Sequence, residues 1–207
     1  MICLGSNGMV PLFWRVATPG VTLAAMEERV VGQLKREYRT PRLLLRPFTE
    51  ADVDAVFRYA VQPEYRRFLD LPDPYERKHA EAFIASCLDA DWAKHSTFAL
   101  NLGGEIIGGL SFDTADTNWS NLGYAIDRTH WGKGLVVEAA KPLISDMFSI
   151  CRVARIEISA AAPNRQPCRV AEKLGFRHEG TLRSRMVVRD QRYDCAYYGL
   201  LPHEWQG

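Results

Sequence analysis

Asn121-Leu-Gly-Tyr-Ala-Ile-Asp-Arg-Thr-His-Trp-Gly-Lys-Gly-Leu-Val-Val-Glu-Ala-Ala140 is the stretch that decides how this chain folds. It opens as an apolar run suited to a strand, passes through the short turn Gly132-Lys-Gly134, and continues at once with helical apolar spacing. A helix that begins on glycines offers backbone N–H groups with no intrahelical acceptor, at the positive end of the helix dipole. Together these make an anion site, most often for phosphate. Gly-x-Gly also opens dinucleotide folds, but Val137 stands where that fingerprint carries its third glycine, and there is no Walker loop. From the turn alone, an ordinary strand-to-helix connection is an equal reading.

Working outward, 42–47 reads as a strand ended by Pro47. Thr49 caps the helix that follows, with Asp52 where a capping box wants an acid. Val53, Val56, Phe57 and Ala60 give that helix its apolar face, and Pro63 closes it. A second helix over 75–94 has Ala80, Phe83, Ile84, Cys87 and Leu88 inward. Strands over 97–102 and 105–112 meet at Gly103-Gly104, a hairpin signal. The strand over 121–126 and the helix over 134–150 come next. Pro142 should kink that helix at ~3 kcal/mol unless the fold compensates. A strand over 156–160 leads to a short helix over 167–174, with Asn164 as its cap and Gly175 at its C-terminal end. Strands over 177–188 and 195–200 complete the pattern, and the basic cluster Arg183, Arg185, Arg189 and Arg192, interspersed with Asp190 and Asp194, reads as a solvated hairpin. Early helices, a meander and then β-α-β-α-β-β imply one mixed α/β domain. Its boundaries are read as 38–207. Residues 1–37 form an N-terminal extension, flexible or an over-extended start, in which 27–36 is a short helix and Met26 an alternative first residue.

Composition narrows the function classes. With 47% hydrophobic residues, the 207-residue chain can bury one substantial core. Lys+Arg 26 against Asp+Glu 25 leaves a net charge of +1, which supports neither nucleic-acid nor anionic-membrane binding. The 5 cysteines are scattered, without metal-ligand spacing, as expected of a metal-free protein of the reducing cytoplasm. No apolar run approaches the ~20 residues of a membrane span, and no secretory leader is expected.

Taken in order, Leu43-Leu-Leu-Arg-Pro47, Leu122-Gly-Tyr124, Trp131-Gly-Lys-Gly134 with Glu138-Ala139, Asn164 and Glu172-Lys-Leu-Gly-Phe176 resemble the GNAT superfamily of N-acetyltransferases, specifically its Rim-type branch. Glu179-Gly180 and Asp194 match more loosely. The resemblance spans roughly 42–200. It implies acetyl-CoA as co-substrate and a central, mixed, mostly antiparallel sheet splayed where the cofactor's arm lies, with helices on its flanks. Ile126 and Asp127 would offer backbone groups to the arm and thioester. The turn from Arg128 through Thr129, Trp131, Gly132, Lys133 and Gly134 to Leu135 would cradle the pyrophosphate, and Asn164 would bind the arm's amide region. The implied acceptor is a primary amine, on a protein N-terminus or a small molecule; the oligomeric state, a homodimer among the options, is not readable from the sequence. Thr129 stands where the superfamily often has Gln or Arg, and Pro167 stands where the branch usually has Ser.

Acetyl transfer needs a neutral amine, a donor to the developing oxyanion and a thiolate that can leave. A backbone N–H near Ile126 is the oxyanion candidate. With serine missing at position 167, Cys168 is the candidate acid for the thiolate, with a covalent acetyl-cysteine or a buried packing role as alternatives. Asp113 is the candidate base, with His130 and Asp116 behind it. An α-amine, of pKa ~7.7–8.0, could dispense with a base. Tyr124 reads as core, and of Tyr197 and Tyr198 only one can face the cleft. Without a competent acid or base, the alternative function is an acyl-CoA-binding or sensing module.

Overall fold

A computed structural model describes residues 33–115 and 118–207. The alternating segments form strands β1 (Tyr38–Arg39), β2 (Leu43–Pro47), β3 (His95–Leu102), β4 (Glu105–Ala115), β5 (Trp119–Ile126), β6 (Arg155–Ala161), β7 (Arg177–Val188) and β8 (Gln191–Leu200). The segments of helical period form α1 (Val53–Ala60), α2 (Pro63–Arg66), α3 (Arg77–Asp89), α4 (Leu135–Ser149) and α5 (Arg165–Lys173). All described strands join one sheet in the order β1-β2-β3-β4-β5-β6-β8-β7. Every neighbouring pair is antiparallel except β5 and β6.

That parallel pair shapes the functional site. β5 and β6 are in register only at Trp119–Arg155, Ser120–Ile156 and Asn121–Glu157. Beyond Asn121 they part, although β5 stays paired with β4 to Ile126 and β6 stays paired with β8 to Ala161. The sheet therefore opens as a V, with the C-terminal half of β5 on one arm and β6 on the other.

Helices cover both faces. α1 and α3 pack Val56, Tyr59, Ala80 and Ile84 against Phe48, Ala99 and Ile106. α4 and α5 press Leu135, Ala139, Leu143, Ile144 and Ala171 onto Phe98, Leu100, Leu110, Ile156 and Ile158 from the other side. Ala99 lies in one layer while Phe98 and Leu100 lie in the other, as the two-residue period of a strand requires. At the entry to α1, the buried Asp52 carboxylate takes both terminal nitrogens of Arg46 at 2.7 and 2.8 Å, and the Thr49 N–H at 2.8 Å. Burial acts to raise its pKa, but Arg46 and Thr49 outweigh that and hold it below the usual carboxylate range.

Several elements differ from the sequence reading. Of the expected helix over 27–36, residues 27–32 lie outside the described residues, and 33–36 are not helical. Leu34 is buried there, its carbonyl accepts the Trp92 indole N–H at 2.9 Å, and Arg36 stacks 4.2 Å over that ring. Pro63 does not end the helical region but starts α2, where its missing N–H is harmless. α3 is shorter than expected because Ala90 turns to extended geometry, and Leu88 faces outward at 49% exposure. Pro142 sits within α4, which runs on through it.

Candidate active site

The glycine turn is set for an anion. Gly132 and Gly134 have φ of 75° and 74°, a left-handed geometry that residues with a Cβ enter only at a cost. The first backbone bond of α4 runs from the Glu138 N–H to the Gly134 carbonyl at 3.0 Å. The N–H groups of Leu135, Val136 and Val137 therefore precede any intrahelical acceptor. A clamp behind the turn fixes it. Glu138 accepts from the Arg42 N–H at 2.9 Å, Arg42 Nε at 2.6 Å and Thr40 Oγ1 at 2.6 Å, while Arg42 Nη1 donates to the Lys133 carbonyl at 3.1 Å. Because a trans peptide sets C=O and N–H on opposite sides, drawing the Lys133 carbonyl to Arg42 turns the Gly134 N–H the other way.

Backbone groups also face the V. The Asp127 N–H donates to the Ile107 carbonyl at 2.7 Å, on the same register that pairs Gly108 with Ile126. Antiparallel alternation then directs the polar groups of Asp127 and Ala125 toward β4, and those of Ile126 and Tyr124 toward the opening. The Ile126 carbonyl takes the Trp131 indole N–H at 2.9 Å, which folds that ring back over the strand end. Asp127 serves the turn itself: its buried carboxylate accepts from the Thr129 N–H and Oγ1 at 2.9 Å each, and its carbonyl accepts from the His130 N–H.

Two adjoining cavities fill the opening, about 260 and 280 Å³ in volume, and Tyr124, Ile126, Trp131 and Gln166 line both. The larger runs from Ile126 to the Gly132–Val137 turn, with Arg169 and Lys173 of α5 in its wall. An anion on the turn would thus lie near two cations. The other reaches outward past Tyr65, Phe68 and Leu69, and Glu64 and Arg67 are its charged residues. The β7–β8 hairpin clasps this outer rim: Arg189 pairs with Asp73 at 2.8 Å, and Tyr193 meets Phe68 edge-on at 5.5 Å.

The structure brings Ile126, Trp131, Gly132, Gly134, Leu135 and Asn164 to these walls. Lys133 joins through its carbonyl, while Arg128 is ion-paired with Glu64 at 2.6 Å and Thr129 is held by Asp127. Asn164 is the residue before α5, yet its side chain does not make the expected cap bond. Asp113 is not brought to the site. It pairs with His95 and lies opposite Asn121, five residues along β4 from Gly108, or ~17 Å at strand rise. That carboxylate holds His95 above its ordinary pKa despite burial. Asp116 lies outside the described residues. Pro167, not Cys168, lines the cavity. Cys168 is buried in the core, where its thiol donates to the Asn164 carbonyl at 3.4 Å and its sulfur is hydrogen-bonded by Tyr198. Of the tyrosine pair, Tyr198 is the buried one. Glu64 and Phe68 fall in the loop over 62–74, which the family resemblance implies shapes the acceptor end together with the hairpin over 183–194, whereas Gln166 had no signal in the sequence and reaches the site only through tertiary packing.

The cradle, the V and the flanking cations fit the pyrophosphate, arm and thioester of acetyl-CoA, and the chain belongs to the acetyltransferase (GNAT) domain family, whose pattern matches residues 42–177. It is an acetyl-CoA-dependent N-acetyltransferase. It is 27% identical over 173 residues to the uncharacterized N-acetyltransferase p20 of Bacillus licheniformis, an alignment covering 81% of this chain and 97% of that one. It is 29% identical over 96 residues, 45% of this chain and 54% of the other, to the ribosomal-protein-serine acetyltransferase of Escherichia coli. Among solved structures, RimL in complex with coenzyme A superposes with a TM-score of 0.71 at 18% identity, covering 78% of this chain and 95% of that one, a likeness of fold. Among the described residues there is no cluster of potential metal ligands, and no helix is long and apolar enough to cross a membrane.

Proposed function

We propose that this chain acetylates α-amines at protein N-termini, by direct attack of the amine on acetyl-CoA held along β5. The observation that carries the reading is the parting of β5 from β6 beside the glycine turn, which leaves the Ile126 and Tyr124 N–H groups facing a continuous trough. In this reading, Gly132 to Val137 hold the pyrophosphate. Ile126 contacts the arm, and the Tyr124 N–H, one pleat deeper, takes the thioester carbonyl as negative charge develops on it. The bound co-substrate supplies the activated acetyl group. The acceptor enters between Phe68 and the hairpin tip, the two segments whose contact forms the outer rim. A dedicated base is unnecessary for an α-amine of pKa ~7.7–8.0, and Glu64 in the wall would orient it. The name of the Escherichia coli relative, a ribosomal-protein-serine acetyltransferase, supports a protein acceptor. Cys168, with both hydrogen-bonding roles satisfied in the core, is a packing residue in this scheme, and the enzyme acts in the cytoplasm.

Thiol release from acetyl-CoA by the full chain tests this. Peptides with free N-termini should be turned over, while the same peptides blocked at the N-terminus but carrying lysine should not. Cys168→Ala should retain turnover. Activity confined to lysine side chains or small amines would overturn the α-amine assignment. Tight CoA binding with no turnover on any amine would favour the sensing-module alternative.

A further inference from the structure

The outer cavity adjoins a groove of about 310 Å³ that runs between α2 and the tip of the β7–β8 hairpin, lined by Pro63, Glu64, Arg66, Arg67, Asp73 and Arg189. Glu64 and Arg67 line both spaces and so stand where they join. They are three residues apart at the end of α2, with Arg67 still in helical geometry, so they are neighbours on one face. Their states of pairing differ. The Glu64 carboxylate takes Arg128 at 2.6 Å, and the Asp73 carboxylate takes both Arg66 and Arg189 at 2.8 Å each. Asp70 accepts the Arg189 N–H at 3.2 Å but does not line the groove. Arg67 is exposed, and among the described residues no carboxylate pairs with it; its guanidinium rests 5.1 Å from the centre of the Phe68 ring. Three arginines and two carboxylates thus line the groove, both carboxylates are engaged, and a positive charge is left over where the groove meets the outer cavity.

We propose that this groove carries the segment behind the acceptor's N-terminal residue, and that Arg67 selects acceptors with Asp or Glu at the second or third position. The proposal rests on the α-amine reading and names its acceptor class, an acidic N-terminal peptide. Side chains three residues apart on a helix stand ~5–6 Å from each other, and extended chain advances ~3.3–3.4 Å per residue. An amine oriented by Glu64 therefore brings the next one or two side chains to Arg67. A guanidinium takes a carboxylate through two parallel N–H donors, which gives the contact both strength and direction. A cationic side chain in the same place would meet Arg67 and the Arg66–Arg189 pair, with both lining carboxylates already engaged. Arg67 touches no reacting atom, so its contribution belongs to acceptor binding rather than to the chemical step.

The test uses octapeptides with a free N-terminal serine that differ only at the second and third positions, which carry Asp, Asn or Lys. With the full chain at low ionic strength, the Asp peptide should exceed the Asn peptide by about tenfold in kcat/KM, through KM, and the Lys peptide should be poorest. Salt at about 0.5 M should shrink that preference to about twofold. Arg67→Ala should lose about tenfold on the Asp peptide and bring the three within about threefold of one another. Arg67→Glu should reverse the order, Lys above Asp, which a general loss of stability or activity cannot produce. Equal turnover of the three peptides by the wild type, or an unchanged order in Arg67→Glu, would overturn the proposal. Free aspartate acetylated as well as the Asp peptide would overturn the groove's part in it, because that acceptor has no following segment. If the α-amine reading itself fails, no free N-terminus is turned over whatever its charge, and the proposal falls with it.

Discussion

Gly134→Asp should abolish productive acetyl-CoA binding while leaving the fold nearly intact. Position 134 has φ of 74°, where a side chain costs roughly 1–2 kcal/mol, and aspartate is among the residues that tolerate it best. An acid at the start of α4 also favours the helix dipole, by about 0.3–1 kcal/mol, so the net loss of stability is about 1 kcal/mol. The nearest atom to the new Cβ is Arg42 Nη2 at 3.9 Å, so nothing clashes. Toward a pyrophosphate the same carboxylate is strongly repulsive, since two like charges 4 Å apart near a protein surface oppose each other by about 4 kcal/mol. Acetyl-CoA affinity, measured by calorimetry, should therefore fall by about 100-fold or more. Gly134→Ala, which adds strain without charge, should lose about tenfold or less. Equal affinities in wild type and the Asp variant would place the anion elsewhere.

Gly108→Ala should be the most damaging single methyl in the sheet. A Cβ at 108 would lie 2.3 Å from the Ala125 carbonyl oxygen and 2.7 Å from Ile126 Cα. Both obstacles are backbone, so no rotamer change relieves them, and β5 must move away from β4. The expected destabilisation is about 2–4 kcal/mol by chemical denaturation. The displaced segment is also the arm of the V that carries Tyr124 and Ile126, so acetyl-CoA affinity of the folded fraction should drop as well. Gly180→Ala is the matched control. Nothing lies within 4 Å of a Cβ there, and stability should change by less than about 0.5 kcal/mol. Similar losses at both positions would mean that the β4–β5 contact is not the sensitive one.

Local chemistry made part of this molecule legible. The glycine turn, the hairpin at Gly103-Gly104 and the end of α5 are each specified within a few residues. At the last of these, Phe176 N–H to Ala171 O and Gly175 N–H to Glu172 O close the helix as sequence reasoning expects of a C-terminal glycine. Strand period likewise gave the face on which a residue lies. It could not give position along the sheet, and this is why Asp113 was expected at the cleft when register carries it to the other end. The choice between Pro167 and Cys168 was unreadable for a related reason. One step along a helix rotates a side chain about 100°, and only the packing of α5 on β6 and β8 decides which faces the cavity. The Arg42–Glu138 clamp joins residues 96 apart in sequence, and the unpaired state of the buried Tyr124 hydroxyl is decided by tertiary packing. Neither leaves a local signature.

Amide hydrogen exchange of the full chain with and without saturating acetyl-CoA tests the central claim most directly, because it reads the backbone groups assigned to the co-substrate. Protection should rise at Tyr124, Ile126 and the Gly132–Val137 turn, and stay unchanged along α3 and at the His95–Asp113 end of the sheet. Saturating acetyl-CoA that leaves the turn and the end of β5 unprotected, or that protects a different surface, would contradict the account.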